Sequence, residues 1–218
     1  MSTTNTRARG KGDAYHHGDL ATALTDVATD LARSGGPDSI VLREAARRVG
    51  VSATAAYRHF TGHRDLFEAV KERALAGLAE SMRATVDSDA ELPDPIAEGV
   101  RRLRAIGRAY IDYSMVEPGL FRTAFCPPEL DDPQESLAEM VALSAPYQML
   151  SDCLDMLAEA GGLAAEWRPF AELKLWATVH GVAVLMLDGP LRYMPDDARS
   201  ELVDSMLDFC LGGLRISP

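Results

Sequence analysis

Residues 39–60 read SIVLREAARRVGVSATAAYRHF, and they predict two short helices joined by a tight turn. The first helix is expected from Val41 to Val49, with Ser39 or Ile40 at its cap, and the second from Ala53 to His59. Gly50, Val51 and Ser52 lie between them. Glycine adopts a positive φ at no steric cost, which a tight helix–helix turn requires. Ala46, four residues before Gly50, leaves room for the helices to cross closely, and Val49, Val51 and Ala56 supply a small apolar core. Ser52 suits the cap of the second helix, because its hydroxyl accepts from backbone N–H groups that have no partner inside the helix. This is the helix-turn-helix pattern, whose second helix enters the major groove of DNA. The same spacing also occurs in purely structural hairpins, so the flanking sequence has to decide between the two readings.

Upstream, residues 18–34 predict a helix with Asp19 as its cap and Leu20, Leu24, Val27 and Leu31 along one face. Gly35-Gly36-Pro37 stops it. Downstream, a long helix is expected from Arg64 to Val86, with Leu66, Phe67, Val70, Ala74, Leu78 and Met82 on one stripe. Its first half should pack on the hairpin and its second half should reach the next domain, which makes it the mechanical link between them.

With these flanks, HHGDLATALTDVATDLARSGGPDSIVLREAARRVGVSATAAYRHFTGHRDLFEAV strongly resembles the N-terminal domain of the TetR family of bacterial transcriptional regulators. The resemblance covers residues 16–75, and the ending Tyr57-x-His59-Phe60 before a further helix is its most specific feature. It implies that Ser52, Thr54, Tyr57 and His59 contact phosphates and that the start of the second helix, with Ala53 and Ala55, faces base edges. Hydroxyls and a helix N-terminus suit phosphate oxygens, and an alanine can pack on a thymine methyl. Arg43 and Arg58 would add charge. The family usually has lysine where this chain has His63, so the resemblance implies that His63 or the adjacent Arg64 would take that phosphate role. The alternative is that Tyr57 and His59 only pack the hairpin.

The net charge of -11 looks wrong for a partner of DNA until it is divided along the chain. Residues 1–75 hold 11 Lys+Arg and 9 Asp+Glu, whereas residues 76–218 hold 11 and 24. The positive part coincides with the motif, and the acidic remainder would repel DNA and favour one docking face. Residues 1–14 are expected to form a disordered basic tail, in which Arg7, Arg9 and Lys11 are either solvated or an arm in the minor groove. They are followed by the helix-turn-helix domain at 15–62, its linking helix running on to about 75, and by a regulatory domain at 63–218. No apolar run reaches the ~20 residues of a membrane span, and the N-terminus has no apolar segment of the kind a signal peptide needs. Cys126, Cys153 and Cys210 are too far apart for a disulfide framework or a zinc pattern, which suits the cytoplasm.

Beyond Asp87–Pro95, further helices are expected at 95–116, at Leu120–Phe125, at 134–160 with a kink at Pro146, at 169–188 and at 196–214. No segment has a strand period, so the fold class is all-α. Residues 169–188 are apolar nearly all round, which predicts burial on several sides. Trp176-x-x-x-His180-Gly181 and the stretch EPGLFRTAF resemble the ligand-binding domain of the TetR subgroup named for its Trp-His-Gly signature. The aromatic and sulfur-bearing residues Tyr110, Tyr113, Phe121, Phe125, Tyr147, Met156 and Trp176, with the polar His180, would then surround a cavity for a largely apolar small molecule. Each of them also fits an ordinary helical core. No metal-ligand spacing, catalytic constellation or cofactor motif is present in the sequence, so no metal, no catalysis and no cofactor is expected.

The function implied is a homodimer, paired through about 169–188 and 196–214, that binds a pseudo-palindromic operator in double-stranded DNA and is released by a small-molecule effector. A ligand-responsive activator, or a helical carrier or enzyme whose N-terminal hairpin is only structural, are the alternatives.

Overall fold

A computed structural model describes residues 17–127, 144–214 and 216, and for residues 17–19 the backbone alone. The expected tail at 1–14 lies outside the described residues. Every regular element among them is helical: α1 His17–Gly35, α2 Leu42–Val49, α3 Ala53–Ala56, α4 His63–Asp87, α5 Pro95–Val116, α6 Pro118–Ala124, α7 Ala145–Glu159, α8 Ala171–Leu187 and α9 Asp196–Gly213. Short 3₁₀ turns at Pro37–Ser39 and Pro190–Tyr193 complete the set.

The first three helices and the start of α4 close around Leu24, Ile40, Leu42, Ala45, Ala46, Ala56, Phe60, Leu66 and Val70, all buried. Small side chains at Ala45, Ala46 and Ala56 let α2 and α3 approach closely. Gly50 ends α2 at φ 84, and the N–H groups of Gly50 and Val51 both reach back to the Ala46 carbonyl at 3.0 Å. This left-handed closure satisfies carbonyls that the helix end would otherwise leave open.

Several local expectations are corrected. Asp19 lies inside α1 and does not cap it. Ser39 caps nothing: its hydroxyl lies within donating distance of two carbonyls, Leu31 at 2.7 Å and Gly36 at 2.6 Å, and its one proton ties the inter-helix turn back towards α1. Residue Val41 stands at the cap of α2 without a side-chain bond. The second helix of the hairpin is shorter than Ala53–His59. After Ala56 the chain tightens, with Arg58 and His59 bonding three residues back, and this turn swings Phe60 into the core at 8% exposure. Pro146 does not kink a long helix. It sits in the first turn of α7, where a missing N–H costs nothing. The expected helical residues 134–143 lie outside the described residues.

Helix α4 carries buried residues along its whole length, from Leu66 and Val70 at the hairpin to Leu78, Ala79 and Met82 against α5. Helix α5 lies at the centre of the C-terminal part and packs on α4, α7, α8 and α9. Gly99 and Gly107 set two of these crossings: a Cβ on Gly99 would meet Leu157 at 2.6 Å, and one on Gly107 would meet Leu207 at 2.7 Å. Helix α6 is pressed onto the end of α1, where a Cβ on Gly119 would meet the Ala32 carbonyl oxygen at 2.2 Å. Helix α8 is not buried all round, because Leu173, Val184 and Leu185 are exposed, and Phe170, Tyr193 and Phe209 beside it are more so.

Candidate nucleic-acid interface and ligand cavity

One face of the hairpin carries its exposed functional groups. Ser52 stands at the N-cap of α3 and accepts the Ala55 N–H at 3.1 Å. Ala53, Thr54, Tyr57 and Arg58 are exposed next to it, Ala55 and His59 are half-buried, and Arg43, His63 and Arg64 are exposed on α2 and at the start of α4. Tyr57 is 46% exposed, so much of its side chain lies outside the hairpin's core. His63 stacks on Phe67 with ring centroids 5.8 Å apart.

Charge on this face is sorted by pairing. Glu44 holds Arg47 at 2.7 Å and Arg48 at 2.8 Å, and these two guanidinium groups bring its carboxyl down to about 2. Arg43 and Arg58 have no ion pair among the described residues. Exposed guanidinium groups without a carboxylate among the described residues are thus found on α2, at Arg43, and just after α3, at Arg58.

The second site is an apolar cavity of about 60 Å³ in the C-terminal part. Its walls come from Met82 of α4, Leu103, Ile106, Gly107 and Tyr110 of α5, Phe125 after α6, Tyr147 and Leu150 of α7, Leu175, Trp176 and Val179 of α8, and Leu207, Cys210 and Leu211 of α9. Of the residues expected to surround it, Tyr110, Phe125, Tyr147 and Trp176 line it. Tyr113, Phe121, Met156 and His180 do not. Tyr113 turns away from it, its hydroxyl donating to the Ala74 carbonyl at 3.3 Å, and burial pushes that hydroxyl up to about 12. Phe121 is a back wall, 5.4 Å from Tyr110 and 4.9 Å from Phe125 between ring centroids. Met156 is half-buried on α7. The aliphatic walls were present in the sequence as helical stripes, but nothing in a stripe tells cavity from core.

His180 stands one layer behind the lining. The Trp176 indole N–H donates to the Tyr110 hydroxyl at 3.1 Å, and that oxygen lies 2.8 Å from His180 Nδ1. An indole N–H can only donate, so the tyrosine oxygen accepts there. Burial lowers the His180 pKa and raises that of Tyr110, so both are neutral and the Tyr110 O–H donates to Nδ1. This assigns the imidazole proton to Nε2. The relay satisfies polar groups that would otherwise cost energy in an apolar wall.

Cavity and hairpin are in mechanical contact. Phe125 lines the cavity, and the carbonyl of the next residue, Cys126, accepts from Lys71 Nζ at 3.2 Å. Lys71 is buried on α4, which starts at the hairpin. Glu117 at the start of α6 accepts from Arg33 of α1 at 3.1 Å, and Asp26 of α1 pairs with Arg73 of α4. No group of His, Cys, Asp and Glu among the described residues could hold a metal ion. No helix among them is long and apolar enough to cross a membrane.

Comparison with known proteins places this geometry in a family. Residues 24–70 match the family described as bacterial regulatory proteins, tetR family. Residues 103–210 match the tetracyclin repressor-like C-terminal domain. The chain belongs to the TetR family of bacterial regulatory proteins. It is 24% identical over 208 residues to the HTH-type transcriptional activator FasR of Mycolicibacterium smegmatis, covering 92% of this chain and 84% of that protein. Among solved structures, a protein of unknown function from Rhodococcus sp. RHA1 superposes with a TM-score of 0.73 at 24% identity, over 94% of this chain and all (100%) of that one. The fatty acid degradation regulator FadR from Bacillus halodurans superposes with a TM-score of 0.66 at 15% identity, over 89% and 99%.

Proposed function

We propose that this chain is a cytoplasmic transcriptional regulator that binds an operator as a homodimer and lets go of it when an apolar small molecule enters the C-terminal cavity. The observation that carries the reading is the hairpin around α3, which carries a serine-capped helix start, exposed Thr54 and Tyr57, and exposed Arg43 and Arg58 with no ion pair among the described residues. Phosphates would be met by Ser52, Thr54, Tyr57, Arg58, His59 and one of His63 or Arg64, and base edges by Ala53 and Ala55. One such helix reads few bases, so two are needed, placed one DNA turn or ~34–36 Å apart on a pseudo-palindrome. The exposed apolar side chains of α8 and around α9 supply a surface for the dimer.

Release follows from the route between the two sites. A ligand that pushes on Phe125 moves the carbonyl that holds Lys71, and with it the angle of α4 and the spacing of the two hairpins. The ligand then favours the wrongly spaced form and shifts the population away from DNA. A second reading, ligand-dependent activation, is favoured by the name of the FasR relative.

The test is a fluorescence titration against the DNA upstream of the chain's own gene and its neighbours, at low and physiological salt. We expect saturable binding at one pseudo-palindrome, weakening steeply with salt as phosphate contacts require. Binding no tighter than to random DNA at either salt would overturn the proposal.

A further inference from the structure

The cavity is walled almost wholly by apolar side chains, and Arg104 is its one charged lining residue among those described. That arginine is committed elsewhere. It pairs with Asp208 of α9, and a second α9 carboxylate, Asp204, lies 3.6 Å from it while also holding Arg108. Both aspartates are more than half exposed, at 52% and 65%. The guanidinium is thus drawn towards the solvent side of the α5–α9 seam, and the aliphatic stem is what faces the cavity.

His180, behind the lining, is neutral, and its Nδ1 accepts from the Tyr110 hydroxyl at 2.8 Å. Ser144 already has a partner. Tyr147 lines the cavity, and its hydroxyl has no hydrogen bond among the described residues. Among the described residues, the polar lining therefore offers a neutral O–H and no charge without a partner.

We infer that the cavity takes an uncharged apolar ligand bearing an oxygen, of the alcohol or ester class, that meets the Tyr147 hydroxyl, and that it discriminates against the corresponding carboxylate and ammonium. The inference rests on the reading of the cavity as the effector site. A carboxylate inside would have to pull Arg104 away from Asp208 and lie near two acidic side chains. An ammonium would find only carboxylates that are already paired, Asp204 and Asp208 with Arg104 and Arg108, and Glu172 with Arg168 at 2.7 Å. Burying either charge without a partner costs far more than burying a hydroxyl that has one.

The experiment is direct binding to the full chain at neutral pH, read by calorimetry and by the fluorescence of the lining Trp176, with 1-octanol, octanoate and octylammonium as probes. The expected order is octanol first, with the two ions weaker by about tenfold or more. Arg104→Met should leave the ratio of octanol to octanoate affinity within about twofold of its value in the unmodified chain, because the guanidinium meets neither probe. Tyr147→Phe should weaken octanol by about fivefold, the worth of one neutral hydrogen bond. Asp208→Asn should narrow the gap between octanol and octanoate by freeing the guanidinium, and a ratio measured on one variant is insensitive to that variant's stability. Octanoate binding the unmodified chain as tightly as octanol, and losing affinity in Arg104→Met, would overturn the inference and leave the effector site standing. Saturable binding of none of the three would overturn the effector site itself, and this inference with it.

Discussion

The hairpin at 39–60 and the cavity between α5 and α8 were built in opposite ways. The hairpin's cap and turns are set by residues within a few positions of one another. Ser52 caps α3, Gly50 closes α2, and Phe60 turns inward four residues after Ala56. The cavity draws on α4, α5, α7, α8 and α9 and the end of α6, which reach it from more than a hundred positions of sequence. A surface that reads an external polymer can be local, because the partner supplies the other half of the contact. An enclosed volume has to be surrounded, and only distant segments can surround it. The seam between the two is α6 on α1 and Lys71 on Cys126.

A change at that seam should affect both regions at once, and it is the largest effect we expect. Gly119→Ala sets a methyl against the Ala32 and Arg33 carbonyl oxygens, at 2.2 and 2.5 Å, and backbone does not yield as a side chain does. It should cost about 3 kcal/mol or more in urea unfolding and lower operator and ligand affinity together. Retention of full stability would show that the seam is loose and the two regions independent.

Tyr110→Phe should act on the cavity alone. It leaves the Trp176 N–H and His180 Nδ1 without partners, for about 1–3 kcal/mol, and operator binding by the ligand-free protein should be unchanged. Arg58→Ala acts on the other side only. Operator affinity should fall about fivefold, uniformly over sequences, and the salt slope should drop by about one, with the unfolding midpoint held within ~0.5 kcal/mol.

The smallest effect is the response to acid. His180 has its pKa lowered by burial, so the unfolded chain binds this proton more readily than the folded one. The stability it supports is present above the unfolded value of ~6.5 and is lost as pH falls through that value towards the lower folded one. Unfolding midpoints at pH 7.5 and 5.5 should differ more in the unmodified chain than in His180→Gln. Equal differences would place the acid sensitivity elsewhere.

How far the sequence was legible follows the same division. The residues of the hairpin's face could be named because cap, glycine turn and aromatic ending follow rules of short range. Even there α3 came out a turn shorter than its pattern, since burial of Phe60 tightened the chain after Ala56. Pro146 read as a kink, because a proline in a helical stretch looks the same whether it bends a helix or begins one. Tyr113 and Tyr110 are on one stripe of α5, yet one turns to the Ala74 carbonyl and the other to the cavity. The choice is made by Gly77, whose missing Cβ leaves room for the Tyr113 hydroxyl at 3.0 Å.

The sequence by itself determined the helical class, the hairpin with its Ser52 cap and Gly50 turn, the long connecting helix and the uneven charge along the chain. Those features depend on propensity, periodicity and composition, which act over a few residues or over the whole count. Only the tertiary structure decided which apolar stripes enclose empty space, that Arg104 is held by α9, that His180 stands behind Tyr110, and that Gly119 joins α6 to α1. Each of these is a contact between segments far apart in sequence, and such contacts exist only once the helices have packed.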